Sequence, residues 1–520
     1  MLSSLRPVLR LVMVLSALLI GPAVYAAAPH ARNVDLTKLP PSARSLFDVA
    51  MKSMDESWDP QVKLLRYPEG FSGHSGTHAR YMVRETGNYA LGLLMRDGEG
   101  DRARAEDALN SVLKEQFLDA SKPWYGTFRR SPEEPDPAGA NTVMWTNYDP
   151  NWRVFIGTTF ELILIEYPER ISSDLALKMY KAIDVAIAGE MKQGRLTPHY
   201  SNIALMYGAL WDFAANRDNN ADWKKQSSAW IREVARLYHL YNSFEEYNSP
   251  TYYGVDLFGL ALWRSYGSTA EIRAAGSNIE AHLWGDIADF YQPELRNLAG
   301  PYDRSYGMDM ETYVAYAGVW IRSLLPAEKA PLPVPDNSTD HLADLWFAPH
   351  VVLLGAKPPA QELAKLQSFS GEHMVRRQIT DDRRATAWVG SKIILGGEDT
   401  KLTKDAPPDT QFHPATAQWR TPSGSIGWFY VWQSSKINAI VDHTTMQIAT
   451  DGTVTIRLKA EGARKEDITA TRWNLPGLTV AIEGDQKDFA VEESTYYKTA
   501  DSFKITYRGL HQMKLTVTPH

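Results

Sequence analysis

The stretch Pro-Ala-Glu-Lys-Ala-Pro-Leu-Pro-Val-Pro-Asp-Asn-Ser-Thr-Asp, residues 326–340, separates two parts of the chain with different hydrophobic periods. Proline fixes one backbone angle and lacks the N–H that helices and sheet ladders need, so this stretch predicts a linker. Before it, apolar residues recur at helical spacing; after it, they alternate with polar residues as in half-buried strands. The sequence therefore predicts a multidomain α+β protein.

The part before the linker, residues 36–325, is predicted to consist of roughly ten to twelve helices. The clearest helical patterns cover residues 81–96, 103–117, 151–166, 173–193, 203–216, 223–241, 255–266, 270–291 and 310–324. Alternating helices over this length favour an incomplete (α/α) toroid of about six helix pairs. An open superhelical array of helix pairs is the alternative.

The part after the linker is predicted to be an antiparallel β-sandwich. Alternating patterns cover residues 425–433, 437–448, 453–459, 478–482, 503–507 and 513–518. Asp451-Gly452 has the composition of a hairpin turn. The predicted domains are a signal peptide (1–26), the toroid (36–325), the linker (326–342) and the β domain (343–520).

The first residues have the pattern of a secretory signal, with Arg6 and Arg10, an apolar run over residues 11–20, and a cleavage site after Ala26. We expect a periplasmic or secreted protein with no membrane association after cleavage. The chain of 520 residues contains no cysteine, which excludes disulfides, thiolate metal sites and cysteine nucleophiles. Its formal charge of −7 argues against a nucleic-acid partner.

The segment Phe-Glu-Glu-Tyr-Asn-Ser-Pro-Thr-Tyr-Tyr-Gly-Val-Asp, residues 244–256, is too polar for the start of an ordinary buried helix. Ser249 and Pro250 fit an N-cap and a first helical turn. Four further segments, residues 73–78, 147–153, 197–202 and 300–309, place His, Asn, Arg, Tyr and Asp at predicted helix starts. In a toroid the like ends of the inner helices surround one mouth, so we expect these segments to form a common cleft.

These residue types suit β-elimination on a uronic acid, which needs a group to neutralise the carboxylate, a base and an acid. Asn202, Asn248 and Arg304 are candidate neutralising groups, His199 is a candidate base, and Tyr253 or Tyr306 is a candidate base or acid. Inverting glycoside hydrolysis is the alternative and would use paired carboxyl groups, with Glu246 and Asp309 as the candidates. A non-catalytic glycan-binding protein is a further alternative.

The combination of a helical toroid, a β domain and the residues His199, Asn202, Tyr253 and Arg304 resembles the toroidal polysaccharide lyases, which include alginate, hyaluronate and heparin lyases. The resemblance implies cleavage of a uronate glycan such as alginate or glucuronan. Hydrolases of unsaturated uronides share the toroid, so the fold alone leaves both chemistries open.

The predicted site has two sets of residues. The catalytic set is Tyr253, His199, Tyr306 and Arg304. The substrate-binding set is Asn202, Asn248, Glu246, Tyr252, Asn151, Trp152, Arg153 and Asp309. The predicted partner is a polysaccharide or oligosaccharide substrate, and no metal or other cofactor is predicted; the oligomeric state is left open.

Overall fold

The computed structural model describes residues 31–32, 34–67, 80–139, 142–336, 339–407, 411–494 and 501–520. The predicted signal peptide and the polar segment 73–78 lie outside these residues. Within the described ranges, the longest helices carry too many polar residues for any of them to cross a membrane.

The helices occupy the first two thirds of the chain. They are α1 (Pro41–Ser57), α2 (Val83–Arg96), α3 (Asp101–Lys114), α4 (Trp152–Glu166), α5 (Ser173–Gln193), α6 (Ser201–Arg217), α7 (Ala221–Tyr241), α8 (Tyr252–Tyr266), α9 (Ala270–Phe290), α10 (Tyr316–Leu324), α11 (Leu342–Leu345), α12 (Ala348–Leu354) and α13 (Ala360–Gln367).

The helices form two layers. Helices α2, α4, α6, α8 and α10 contact one another in succession, and α1 contacts both α10 and α2, while α3, α5, α7 and α9 each pack outside the helix that precedes them. The inner helices α4 and α6 are buried on nearly all sides, whereas the outer helix α7 buries only a stripe that includes Ile231, Val234 and Tyr238. The predicted (α/α) toroid is therefore confirmed.

Close packing of the inner helices explains one glycine. A Cβ added at Gly254 of α8 would lie 2.3 Å from the carbonyl carbon of Tyr316 in α10, so these two helices can approach only because residue 254 has no side chain.

The strands are mostly in the last third of the chain. Short strands in the helical part are β1 (Trp58–Asp59), β2 (Leu64–Arg66), β3 (Tyr81–Met82), β4 (Tyr291–Gln292) and β5 (Asn297–Leu298). The β domain contains β6 (His373–Thr380), β7 (Arg383–Val389), β8 (Ile393–Asp399), β9 (Ala415–Arg420), β10 (Ile426–Ser434), β11 (Ile437–Asp442), β12 (Thr445–Lys459), β13 (Arg472–Leu475), β14 (Leu478–Gly484), β15 (Asp488–Glu493) and β16 (Ser502–Pro519).

The β domain is one antiparallel sheet that folds over itself. Its order is β13-β14-β16-β12-β10-β9-β8-β7-β6, with β11 paired to β12 and β15 to β16. Strand β11 also lies against β7 and β8, where the Val441 N–H donates to Thr386 Oγ1 at 2.8 Å. Its own hydrophobic core, which includes Trp419, Trp473 and Leu515, lies between the two layers. The sandwich expected from the sequence is present.

The prediction of a hairpin turn at Asp451-Gly452 is wrong. Both residues lie inside β12, where Gly452 has a φ of 152° and the pairing with β16 shifts register, so the pair forms a bulge. The β11–β12 turn is at His443, whose φ is 51°. Strand β12 continues through the bulge because β16 pairs with it on both sides of Gly452.

The boundary between the two parts also differs from the predicted one. Helices α11, α12 and α13 follow the proline-rich stretch, and α12 packs against α1, α2 and α8. Ala330, within that stretch, is fully buried. The sheet begins only at His373. The proline-rich stretch therefore interrupts the helical part and does not end it.

Candidate active site

A cleft of about 700 Å³ opens where the polar turns before α4, α6 and α8 meet. Its aromatic lining residues are Tyr67, Trp145, Trp152, Phe155, Tyr200, Tyr252, Tyr306 and Tyr316. Its polar and charged lining residues are Arg84, Asp149, Asn151, Asn202, Thr251, Arg304, His341, Asp344 and Gln411. The cleft thus combines broad apolar surfaces with hydrogen-bonding groups, as carbohydrate sites require.

Glu246 organises one wall of the cleft. Its carboxylate is almost fully buried and accepts a hydrogen bond from Ser201 Oγ at 3.0 Å and another from Asn202 Nδ2. It also forms an ion pair with Arg304 Nη1. A buried carboxylate without such donors would be strongly destabilised, so these contacts fix both Asn202 and Arg304 in place.

Arg304 connects Glu246 to a pair of tyrosines. Arg304 Nη2 donates to the Tyr252 hydroxyl at 2.6 Å, and the guanidinium lies 3.9 Å from the centre of the Tyr252 ring. Arg304 Nε donates to Gln411 Oε1 at 2.8 Å. The hydroxyls of Tyr252 and Tyr306 are 2.5 Å apart. The result is a continuous hydrogen-bonded row from Asn202 to Tyr306.

The two tyrosines are protonated at neutral pH. Burial raises the pKa of Tyr252 well above its usual value; Tyr306 adds to the increase and Arg304 opposes it. The pKa of Tyr306 is also raised by burial, against the lowering effect of the hydrogen bond to Tyr252 and of Arg304. Burial alone would lower the pKa of Arg304, but the pKa is raised, and the adjacent Glu246 carboxylate favours the charged guanidinium. Both hydroxyls are therefore available as proton donors.

His341 lies on the other side of Tyr306. The two rings stack with centroids 4.4 Å apart and an interplanar angle of 11°. His341 Nδ1 is 3.4 Å from Asp344 Oδ2. Burial would lower the pKa of His341, but the Asp344 carboxylate outweighs it and raises the pKa above the usual value. The Asp344 carboxylate thus favours the protonated form of His341.

Trp145 has the most strained backbone among the aromatic residues of the cleft. It has a φ of 71°, which is unfavourable for a bulky side chain, and the residue is 45% exposed. Its N–H donates to the Tyr148 carbonyl at 2.8 Å, and its carbonyl accepts from Arg130 Nη1 at 3.2 Å. The Arg195 guanidinium lies 5.5 Å from its ring. Backbone strain held by such contacts is typical of functional sites.

The structure brings some of the predicted residues together in the cleft. Those that line it are Tyr306, Arg304, Asn202, Tyr252, Asn151 and Trp152, and Glu246 lies directly behind them. Asn151 Oδ1 accepts from Arg195 at 2.7 Å, and its Nδ2 donates to the Tyr200 hydroxyl at 3.3 Å.

The structure places the predicted catalytic residues Tyr253 and His199 elsewhere. Tyr253 is 1% exposed and packs edge-on against Tyr247 in the core, on a different face of α8 from Tyr252. His199 is exposed before α6, with Glu233 of α7 as a charged neighbour. Neither is among the residues that line the cleft.

The remaining predicted residues have structural contacts. Asn248 Nδ2 donates to the carbonyls of residues 299 and 301 at 2.8 and 2.9 Å. Arg153 is fully buried and pairs with Glu190 at 3.0 Å. Asp309 accepts from Asn297 Nδ2 at 3.2 Å, and burial raises its pKa to about 6.

Several lining residues were not predicted. Tyr200 lies in a polar turn that the sequence had indicated, and Arg84 follows another. His341 and Asp344 lie in and just after the segment interpreted as a linker, and Gln411 lies in a loop of the β domain. No periodicity marks these last three, because they reach the cleft only through tertiary packing.

A family model described as "Domain of unknown function (DUF8769)" matches residues 44–356, more than half of the chain. The chain belongs to the DUF8769 family. A second model, "Domain of unknown function (DUF8770)", matches residues 370–510. No curated protein matches the sequence.

Among solved structures, the crystal structure of heparinase III has a TM-score of 0.41 and 9% identity, over 95% of this chain and 88% of that chain. A Streptomyces coelicolor A3 chondroitin AC lyase has a TM-score of 0.42 and 10% identity, over 93% and 80%. A Paenibacillus xanthan lyase has a TM-score of 0.40 and 11% identity, over 94% and 58%. These proteins belong to the toroidal polysaccharide lyases that the sequence resembles.

Proposed function

We propose that this protein is a polysaccharide lyase that cleaves a uronate-containing glycan by β-elimination. The observation that supports it is the row of hydrogen bonds that joins Asn202, Glu246, Arg304, Tyr252 and Tyr306 along one wall of the cleft. It places a cation, an amide and two proton donors side by side. Export through the predicted signal peptide is part of the same proposal.

In this mechanism Asn202 and Arg304 bind the uronate carboxylate. Asn202 Nδ2 and Arg304 Nη1 each donate one hydrogen to Glu246 and each carry a second one. Donation of these hydrogens to the substrate stabilises the charge that develops on the carboxylate when the C5 proton leaves. Glu246 orients both donors but does not contact the reacting atoms.

The proton transfers are assigned to His341 and Tyr252. Neutral His341 removes the C5 proton, the electron pair forms the C4–C5 double bond, and the C4–O bond breaks. The Tyr252 hydroxyl, whose pKa is raised, gives its proton to the leaving oxygen. Tyr306 lies between the two groups and touches both. In this proposal Tyr252 and His341 take the roles that the sequence suggested for Tyr253 and His199.

The structure gives no support for hydrolysis by Glu246 and Asp309. Glu246 is bound by three donors, and Asp309 interacts with Asn297 rather than lining the cleft. An inverting hydrolase needs two carboxyl groups that face each other across a water molecule.

Incubation with uronate polymers would test the reaction. Elimination leaves a conjugated unsaturated uronate, so ultraviolet absorbance should rise with alginate, glucuronan, hyaluronan or pectate and stay flat with the same polymer after its carboxyl groups are reduced. Reducing ends would be measured in parallel. New reducing ends without absorbance would mean hydrolysis, and binding without either signal would mean a glycan-binding protein; both results would refute the proposal.

Two neighbouring tyrosines provide a matched pair of variants. Tyr252→Phe should lower kcat on the order of 10² to 10⁴-fold, because it removes the proposed acid. Tyr253→Phe should leave kcat nearly unchanged, because it removes a buried hydroxyl outside the cleft. Equal kcat values for the Tyr252→Phe variant and the wild type would remove Tyr252 from the mechanism.

A further inference from the structure

The segment that carries Arg304 is bound to the β domain through its backbone. The Tyr302 N–H donates to the His413 carbonyl at 3.1 Å, and the His413 N–H donates back to the Tyr302 carbonyl at 2.8 Å. The Ser305 N–H donates to the Gln411 carbonyl at 2.9 Å. Residues 302–305 therefore lie alongside residues 411–413 like a short added strand.

Charged side chains strengthen the same junction. Asp303 forms ion pairs with Arg383 and Lys404, both in the β domain, and Arg383 Nε also donates to Glu398 at 2.7 Å. The side chains of Asp303 and Glu398 are only 4% and 0% exposed, so they are little screened by water.

The helical part holds the segment from the opposite side. The Asp303 N–H donates to the Tyr247 carbonyl at 3.1 Å, and Ser249 Oγ donates to the Arg304 carbonyl at 2.5 Å. Both anchors lie just before α8, which carries Tyr252. The backbone of Arg304 is thus fixed between the two parts of the protein.

Gln411 is the residue of the β domain whose side chain contacts the Arg304 guanidinium. The planar guanidinium has three nitrogens in fixed directions. In this structure Nη1 is bound by Glu246, Nη2 contacts Tyr252, and Nε donates to Gln411 Oε1. Without an acceptor at Nε, the plane could rotate about its contact with Glu246 and move Nη2 away from the tyrosine hydroxyl.

We propose that Gln411 is a positioning residue for Arg304 and that the β domain is thereby part of the catalytic unit. This inference rests on the proposed lyase function. The carboxamide oxygen of Gln411 fixes the orientation of the guanidinium plane. In this orientation Arg304 donates hydrogen bonds to both the Tyr252 hydroxyl and the substrate carboxylate. Because a misplacement of about 1 Å can reduce the rate on the order of 10²-fold, loss of this single acceptor should affect the chemical step.

Two substitutions of similar length isolate the acceptor. Gln411→Met removes it and should lower kcat on the order of 10 to 100-fold with KM changed only a few-fold. Gln411→Glu keeps an oxygen acceptor and should restore most of kcat. Gln447→Met, at an exposed position of β12, is the matched control and should behave as the wild type. Thermal unfolding of each variant would verify that it is folded.

A second measurement does not depend on activity. Arg304 is 31% exposed, so phenylglyoxal can modify it, and mass spectrometry of the Arg304 peptide gives the modification rate. Gln411→Met should accelerate modification of Arg304, whereas Gln411→Glu and Gln447→Met should not.

The outcomes are distinct. Unchanged kcat and an unchanged modification rate in Gln411→Met would overturn the inference, and so would a rise in KM at constant kcat, which would mean that Gln411 contacts substrate directly. The wild type could also be inactive on every uronate polymer while Arg304 is modified faster in Gln411→Met. This result would refute the lyase proposal but would support the positioning of the Arg304 guanidinium by Gln411.

Discussion

At the scale of single residues, Asp344 controls the charge of His341. Burial favours the neutral imidazole, and the carboxylate of Asp344 outweighs it and raises the pKa. If neutral His341 is the base, kcat/KM falls as the pH drops through this pKa. Asp344→Asn removes the opposing charge and lowers the pKa of His341, so the acid limb of the pH profile should move to lower pH.

The control for this pH experiment is Asp340→Asn. Asp340 also raises the pKa of His341, but less than Asp344, so the acid limb should shift less. An acid limb at the same pH in Asp344→Asn and the wild type would show that another group is the base.

The sequence indicated the turns that form the cleft better than it indicated which of their side chains line it. It indicated the turn that carries Tyr252 and Tyr253 but preferred Tyr253. Neighbouring positions on a helix point about 100° apart, and the polar turn gives no sign of the direction in which α8 rotates into the core. His341 was missed because a proline-rich stretch has no hydrophobic period that would link it to the cleft.

At the scale of elements, the start of α8 depends on Ser249. Its hydroxyl accepts the N–H of Tyr252 at 2.9 Å and donates to the carbonyl of Arg304. Ser249→Ala should lower the free energy of unfolding by about 1 kcal/mol, because the Tyr252 N–H and the Arg304 carbonyl each lose a hydrogen-bond partner just before α8. It should also reduce kcat, since the Arg304 backbone loses an anchor.

Urea denaturation and steady-state kinetics would measure both effects. Ser172→Ala is the matched control, because Ser172 precedes α5 without making a side-chain cap hydrogen bond. Equal losses of stability in the two variants would contradict a stabilising role for the two hydrogen bonds of Ser249.

Elements with a regular pattern were predictable from the sequence. The bounds of α5, Ser173–Gln193, agree with the predicted ones, because this outer helix keeps one apolar stripe and ends at Gly194 in a left-handed conformation. The Asp451-Gly452 bulge was not predictable, since the same dipeptide suits a hairpin turn, and only the pairing with β16 decides between the two.

At the scale of the whole molecule, Arg383 joins the two parts of the chain. It pairs with Asp303 from the helical part and with Glu398 of β8, and all three side chains are largely buried. Arg383→Met should destabilise the protein by about 3–5 kcal/mol, because it leaves the buried Glu398 carboxylate without its cation, while Asp303 keeps Lys404.

The neighbouring arginine is the control. Arg384 is 46% exposed and pairs with Asp399 at 3.0 Å, so Arg384→Met should cost about 0–1 kcal/mol. Denaturant unfolding followed by both far-ultraviolet circular dichroism and tryptophan fluorescence would compare them. A loss of stability no larger for Arg383→Met than for Arg384→Met would show that the junction is not held by this cluster.

The change of hydrophobic period correctly divided the chain into a helical part and a β part. It gave no indication that α11–α13 return to the helical part after the proline-rich stretch, because helices of four to eight residues are too short to show a reliable period. The contribution of Gln411 to the cleft follows from the way the two parts pack, which sequence pattern does not encode.

Trp145 has a consequence for any redesign of this sequence. A left-handed backbone at a non-glycine residue costs about 1–2 kcal/mol, and glycine would adopt the same φ of 71° freely. Optimisation for thermostability alone would therefore replace this tryptophan early, and with it an exposed aromatic surface of the cleft. A more thermostable variant should keep Trp145 and should obtain its added stability from substitutions in the outer helices.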